Sequence, residues 1–298
     1  MTPADEAARA GLTKVGGRPP LGEYLGEVWR RRSFIYSLAR FRIESENQQS
    51  SLGMFWVILK PLLNALVYGA VFGILVGAGG RPPHYVEFLI IGIFVFEFFS
   101  AAWTAGGKAV TNNAALVQSL AFPRMVLPLS AVVERFLKFL PTVGIMLAFL
   151  IVTRNPISWH WLLIIPALTL FFLFTCGIVL ITARLCVHWR DLNNFLPFIT
   201  RFFFYTTGVF FSIEERFGPK PPSPANPQGT PGHPWLVTVA DYQPVHEFLS
   251  LVRAALLDGP TYNTNGSYWV YATIWTITVL VFGIWFFWRA EERYGRVD

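Results

Sequence analysis

Long runs of apolar residues alternate with short polar stretches along this chain of 298 residues. A helix needs about 20 apolar residues to cross the hydrocarbon core of a bilayer. Six runs approach or exceed that length, and the fifth is the shortest. The six predicted spans lie near residues 54–78, 87–105, 125–152, 161–185, 195–212 and 268–288. The pattern therefore predicts an all-α membrane protein, with a six-helix transmembrane domain over residues 49–288.

The stretch before the first run, residues 21–48, has a different periodicity. Apolar residues recur at steps of three and four, and arginines occupy positions between them. This pattern predicts an amphipathic helix in the cytoplasmic interface of the membrane. The helix either anchors the protein or also receives the anionic head group of a lipid-linked substrate, with Arg30, Arg31 and Arg32 at the entrance. We expect a flexible polar tail before it, at residues 1–20.

A compositional break follows the fifth run. Seven prolines between Pro219 and Pro234 exclude a regular helix there and indicate an outer loop. A short amphipathic segment then begins at Pro244 and stops at Gly259, so it is too short to span. We expect a re-entrant or surface helix at the outer leaflet. Residues 213–266 are thus a predicted outer gate region, with Pro244, Phe248 and Arg253 as its candidate residues.

Composition supports the membrane interpretation. Only 14% of residues are charged, against roughly a quarter in soluble domains, and this excludes a conventional soluble enzyme. The net charge of +6 is not gathered on one face, so we expect no nucleic-acid partner. With the N-terminal tail inside, fifteen Lys and Arg residues lie inside and five outside. The positive-inside rule then places both termini in the cytoplasm, including a C-terminal tail at residues 289–298. We expect the protein to lie in the cytoplasmic (inner) membrane.

Charged residues inside the predicted spans are the candidate channel residues. Each would cost roughly 2.5–3.5 kcal/mol if it faced lipid at mid-bilayer, so each should face protein or water. Glu134 and Lys138 are one helical turn apart and either tie helices together or form a polar patch for a sugar or phosphate-bearing substrate. The neighbouring aromatic residues suit sugar rings as well as packing. The expected channel residues are Glu97, Glu134, Arg135, Lys138, Arg201 and Tyr205.

Motifs for chemistry on this chain are absent from the sequence. The string around Gly107 and Lys108 lacks the remaining residues of a phosphate-binding loop, and the five histidines are scattered. We therefore expect no catalytic residue, no metal site and no cofactor on this chain. A membrane-bound transferase with Glu97 or Glu134 as base remains a minor alternative.

The segment between the second and third runs carries the most specific motif. A short helix is followed by Phe122-Pro123-Arg124 and then by Leu127-Pro128. This segment resembles the cytoplasmic coupling segment of ABC exporter permeases of the polysaccharide and polyol-phosphate type. Further similarities are Ser50-Ser51-Leu52-Gly53 with Trp56 and Pro61, the pair Arg190-Asp191, and the outer helix from Pro244. The chain differs at Gln243-Pro244, where such permeases often have Asn-Pro, and near Thr207-Gly208, where Ser-Pro is frequent.

The resemblance implies a homodimer with two copies of a separate ATPase that binds ATP and magnesium. The channel would form between the two permeases and carry a lipid-linked glycan of O-antigen or galactan type across the cytoplasmic membrane, surrounded by membrane lipid. The ATPase would contact the coupling segment, residues 111–124, with Asn112, Asn113, Leu116, Val117, Phe122, Pro123 and Arg124 as candidates. A permease for a smaller lipid or drug is the nearest alternative.

Overall fold

The computed structural model describes residues 19–48, 51–75, 84–119, 122–219, 232–257 and 266–291, in which every regular element is helical. The all-α prediction is therefore confirmed. Most of the two expected tails and most of the proline-rich stretch lie outside the described residues. The helices are α1 Leu21–Arg30, α2 Arg32–Gln48, α3 Trp56–Leu75, α4 Tyr85–Gly107, α5 Ala114–Ser119, α6 Val126–Val152, α7 Ile164–His188, α8 Leu192–Thr206, α9 Ile213–Phe217, α10 Pro234–Asp241, α11 Pro244–Leu256 and α12 Ser267–Trp288.

In the described part of the chain, four helices are long and apolar enough to cross a membrane. They are α4, α6, α12, and α7 together with the helical turn at Trp159–Leu163 that leads into it. These four correspond to the second, third, sixth and fourth predicted spans. Helix α3 covers twenty residues of the first predicted span, whose last residues lie outside the described part of the chain.

The fifth predicted span is wrong in its extent. Helix α8 has fifteen residues and ends at Thr206, six residues before the predicted end. At about 1.5 Å per residue it is shorter than a hydrocarbon core of about 30 Å. The chain turns immediately afterwards, because Gly208 has a φ of 72°, a left-handed conformation that a helix cannot continue through.

The interface segment also differs from the prediction of one helix over residues 21–48. Two helices, α1 and α2, are separated at Arg31. The amphipathic character is present, since Tyr24 and Val28 are buried while Arg30 and Arg32 are exposed, although Trp29 and Phe41 are exposed as well. The segment therefore packs one face against the bundle and leaves aromatic side chains on the other.

Helix α7 lies at the centre of the bundle and packs against α4, α6, α11 and α12. Aromatic rings fill the core at this point. Phe99 of α4 stacks on Phe171 and Phe174 of α7 at centroid distances of 5.7 and 6.3 Å. Phe248 of α11 contacts the same two α7 rings at 4.9 and 5.2 Å. Much of the aromatic content thus stabilises helix packing.

Helices α7 and α12 pack closely against each other at two glycines. A Cβ on Gly283 would lie 2.5 Å from the carbonyl oxygen of Gly177, and one on Gly177 would lie 2.7 Å from the backbone of Val279. Small residues at helix crossings allow such close packing in membranes. The two glycines therefore set the distance between the central helix and the last one.

Both described chain ends lie at the same end of the bundle. The Trp288 indole donates to the Pro19 carbonyl at 3.0 Å, and the Tyr24 hydroxyl donates to Glu291 at 2.8 Å. We call this the interface-helix end. At the opposite end, the Tyr268 hydroxyl donates to Asp241 at 2.7 Å.

Candidate functional site

A charged cluster joins the interface helix α2 to helix α6. The buried Glu134 carboxylate lies 2.9 Å from Lys138, 3.5 Å from Arg135 and 4.0 Å from Arg42. Lys138 also pairs with Glu46 of α2. The cluster is thus an ion-pair tie between two helices, and it also borders two cavities.

The smaller cavity combines charge with aromatic rings. It has a volume of about 160 Å³ and lies between α2, α3, α4 and α6. Glu97 lines it and accepts a hydrogen bond from Asn64 of α3. The lining also includes Glu46, Lys60, Arg135, Lys138, Trp56, Phe94, Phe98 and Phe139. The predicted channel residues Glu97, Arg135 and Lys138 therefore share one site.

The larger cavity, of about 540 Å³, lies between α2, α4, α6 and the turn after α4. Arg42 reaches across it to the Ser130 hydroxyl and the Asn113 amide oxygen, each at 3.4 Å. Arg42 and Lys108 are lining residues that the sequence analysis did not select. Asn112, Asn113, Glu134 and Arg135 complete the polar part of the lining.

The three predicted entrance arginines are not among the residues that line either cavity. Arg31 pairs with Glu27 at 2.9 Å, and Arg32 lies over the Trp29 ring at 5.5 Å. Arg30 is exposed and donates to the Gly26 carbonyl at 3.4 Å. Within the interface segment, the positive charge that faces the larger cavity comes from Arg42, further along the chain.

The remaining predicted channel residues lie on a different surface. Arg201 and Tyr205 are exposed on α8, on the same face as three further aromatic side chains. These aromatic residues are Phe195, Phe198 and Phe202, each at least 59% exposed. Within one chain, this face is not part of the Glu134 cluster.

The coupling segment contains the short helix that its sequence predicts, α5, preceded by a helical turn at Thr111–Asn113. Asn112 is exposed and Leu116 is half-buried, whereas Val117, Phe122 and Pro123 are buried. The Phe122 ring meets Phe34 of α2 edge to face at 6.2 Å. The buried part of the segment therefore packs against the interface helix and is not available to a partner.

Arg124 belongs to a second buried node at the interface-helix end. Its backbone N–H and its guanidinium donate to Glu291 at 3.0 and 3.4 Å. The Tyr24 hydroxyl bonds the same carboxylate and accepts from the Met125 N–H at 3.2 Å. Burial raises the pKa of Glu291, and the bonds from Arg124 and Tyr24 oppose this shift. The node joins α1, the coupling segment and the residues after α12.

Helix α11 carries the predicted outer-gate residues, and it is not a surface helix. Pro244 occupies its first turn, where the missing N–H costs nothing, and Phe248 and Arg253 are 0% and 3% exposed. The Arg253 guanidinium donates to the carbonyls of Phe88, Gly208 and Val209 at 3.0–3.3 Å. It thereby joins α11 to α4 and to the turn after α8.

Four long apolar helices, an amphipathic basic segment at one end and a short helix between two spans define a multi-pass membrane protein of the permease class. The family model of the ABC-2 type transporter matches residues 34–219, so the chain belongs to the ABC-2 type transporter family.

Individual relatives agree with the resemblance found in the sequence. The chain is 28% identical over 255 and 254 residues to two proteins of Klebsiella pneumoniae described as "O-antigen export system permease protein RfbA". Each match covers 84% of this chain and 89% of the relative. A protein of Myxococcus xanthus with the same description is 26% identical over 187 residues, which are 63% of this chain and 71% of that protein.

Proposed function

We propose that this chain is the transmembrane subunit of an ATP-driven exporter that moves a lipid-linked polysaccharide of O-antigen type across the cytoplasmic membrane. The functional unit is a homodimer bound to two copies of a separate ATPase, and this chain carries out no chemistry on the substrate. The observation that carries the proposal is the similarity to O-antigen export permeases over 84% of the chain.

The exposed face of α8 supports the homodimer. Arg201 lies on this face among exposed aromatic rings. A guanidinium that faced lipid at mid-bilayer would cost roughly 2.5–3.5 kcal/mol, so the face should contact protein or water. A second copy of the chain would supply the protein contact, and the two α8 faces would enclose a water-filled pathway with aromatic and positively charged walls.

The arrangement of the chain ends supports the proposed orientation. The interface helices, the coupling segment and the end of α12 lie together through Glu291 and its partners. The positive-inside rule assigns this end to the cytoplasm, where an ATPase has access to the exposed residues of the coupling segment. Both termini are then cytoplasmic, which requires an even number of crossings. There are six in this proposal, and the fifth is made by α8 together with the turn that follows it.

Helix α11 is re-entrant in this proposal. Its thirteen residues are too few to cross, and its Phe248 nevertheless reaches Phe174, ten residues into α7. The helix therefore enters from the outer surface, packs beside the central helix and returns. Arg253 and the turn after α8 form the inner limit of this gate region.

The function is tested in a bacterium that makes a polysaccharide on a lipid carrier and in which the gene for this chain is deleted. We expect the lipid-linked polymer to accumulate in the cytoplasmic membrane and to disappear from the cell surface. Restoring the chain together with its ATPase should restore export, whereas an ATPase variant that cannot hydrolyse ATP should not. Normal surface polymer in the deletion strain would contradict the proposal.

A further inference from the structure

The larger cavity is lined by more positive than negative charge. Among its lining residues, Arg42, Lys108 and Arg135 carry positive charge and Glu134 is the one carboxylate. Glu134 also contacts Lys138, whose charge is shared with Glu46, so Glu134 cannot by itself balance the three cations that line the cavity. Buried and half-buried charges are normally paired. The cavity therefore has an unbalanced positive charge that favours an anion.

A hydrogen-bond donor without an acceptor at the cavity also favours an anion. Within the described residues, the Arg135 Nε is buried and has no hydrogen-bond acceptor. Burial lowers the pKa of Arg42, and repulsion from Arg135 adds to this effect while Glu134 opposes it. An added anion would offset both the burial and the repulsion.

The kinds of donor indicate which anion. Two guanidinium groups present planar forks that bind phosphate oxygens in pairs, Lys108 adds a compact positive charge, and the Asn112 amide adds neutral donors. The volume of about 540 Å³ is many times the roughly 30 Å³ that one water molecule occupies, so a hydrated diphosphate fits.

We propose that the cavity of Arg42, Lys108 and Arg135 binds the phosphate groups of a lipid-linked diphosphate, which would be the head group of the exported polymer. The inference rests on the proposed function and adds the head-group site to it. It also moves that site away from Arg30, Arg31 and Arg32 to the inner face of α2.

The position of the cavity links substrate binding to the ATPase. Asn113 accepts from Arg42 at 3.4 Å and donates to the Ala109 carbonyl at 2.6 Å, and it ends the helical turn that leads into α5. A phosphate bound to Arg42 is thus one hydrogen bond away from Asn113, the residue that immediately precedes helix α5. Occupancy of the cavity should therefore change the ATPase rate.

The test uses the purified complex of this chain with its ATPase in nanodiscs of phosphatidylcholine. Binding of an undecaprenyl diphosphate probe and the ATPase rate are measured for the native chain, for Arg42→Gln and for Lys108→Gln. Because a hydrogen bond to a charged group contributes about 1.5–3 kcal/mol, we expect each variant to weaken binding about tenfold or more. Arg40→Gln is the matched control, since Arg40 lies on the same helix but is exposed and pairs with Glu44.

A variant of opposite sign separates a lost site from a damaged fold. Glu134→Gln removes the carboxylate that competes with the ligand for the same cations, so we expect tighter binding of the probe. Misfolding cannot produce that result. Unchanged binding in Arg42→Gln and Lys108→Gln would overturn the proposal.

Competition distinguishes the sources of phosphate. We expect inorganic pyrophosphate to compete weakly and phosphatidylglycerol not to compete at matched concentration. Equal competition by phosphatidylglycerol would overturn the assignment to the carrier and leave a membrane-lipid site. If the site alone is wrong, the gene deletion still blocks export; if the proposed function is wrong, the deletion strain exports normally whatever binds in the cavity.

Discussion

Arg253 shows how one side chain can hold a helix that does not cross the membrane. Its guanidinium donates hydrogen bonds to three backbone carbonyls, and the guanidinium carbon, Cζ, lies 3.4 Å from the centroid of the Phe88 ring. Gly92 makes room for it, because a Cβ there would overlap the guanidinium. The Gly208 and Val209 carbonyls belong to the turn after α8, where backbone acceptors lack helical partners, and the Phe88 carbonyl belongs to the first turn of α4.

We expect Arg253→Lys to lower the melting temperature of the purified protein. Lysine keeps the charge but loses the fork, so at least one buried carbonyl loses its donor at a cost of roughly 1–3 kcal/mol. Arg30→Lys is the control, since Arg30 is exposed. Equal melting temperatures for the native protein and both variants would show that the fork contributes nothing.

At the scale of the helix, the coupling segment and the interface helices form one unit. Phe122 packs on Phe34, and Arg124 shares Glu291 with Tyr24 of α1. A force applied to the segment therefore reaches both the interface helix and the end of α12. This connection depends on buried contacts, whereas contact with an ATPase must use exposed positions.

Two substitutions separate these roles. Phe122→Asp should reduce the amount of folded protein, because it places a carboxylate in an apolar contact with Phe34. Ala115→Asp, at an exposed position of α5, should leave the amount and the melting temperature unchanged while it weakens ATPase binding. Both are measured by size-exclusion chromatography and by co-purification with the ATPase. Normal amounts of Phe122→Asp would contradict its structural role.

The crossing of α7 and α12 gives a second prediction at this scale. Gly283→Ala places a Cβ 2.5 Å from the Gly177 carbonyl oxygen, so the helices must move apart. We expect a melting temperature lower by several degrees, whereas Gly144→Ala, where a Cβ meets no atom within 4 Å, should not lower it. Thermal unfolding in detergent measures both. A larger effect at Gly144 would refute the close crossing.

Across the whole molecule, the exposed face of α8 defines the expected dimer contact. With Cys176 and Cys186 both buried, a cysteine at Phe198 can be cross-linked selectively by bifunctional maleimides of graded length. We expect Phe198→Cys to give a covalent dimer with the longer reagents if the face borders a channel. Val281→Cys, exposed on α12, should remain monomeric. A covalent dimer formed by Val281→Cys and not by Phe198→Cys would contradict this prediction, because it would place the dimer contact on α12.

The sequence predicted most of the architecture because apolar length and periodicity are local properties. It identified four of the long helices, the amphipathic segment and the short helix α5. It overestimated α8, because the run of apolar residues continues through the turn at Gly208. In that turn, contacts with α11 satisfy the backbone instead of helical hydrogen bonds.

The candidate site was less predictable, because burial of a charge depends on distant partners. Arg42 differs from Arg40 only in the face of α2 that it occupies, which it shares with the half-buried Ile35 and Leu38. That periodicity was the available signal. Nothing local indicates that Glu291 accepts from Tyr24, 267 positions earlier in the chain.

The hydrogen bond between Trp288 and Pro19 also makes the two ends of the described part of the chain neighbours. In a homodimer, Glu291 of one copy and Pro19 of the other then lie on the same side of the membrane. Two copies can therefore be joined in tandem as one polypeptide without threading the linker across the bilayer. Such a fusion would allow Arg42→Gln to be placed in one half only, and its transport rate would reveal whether one or two head-group cavities drive each turnover.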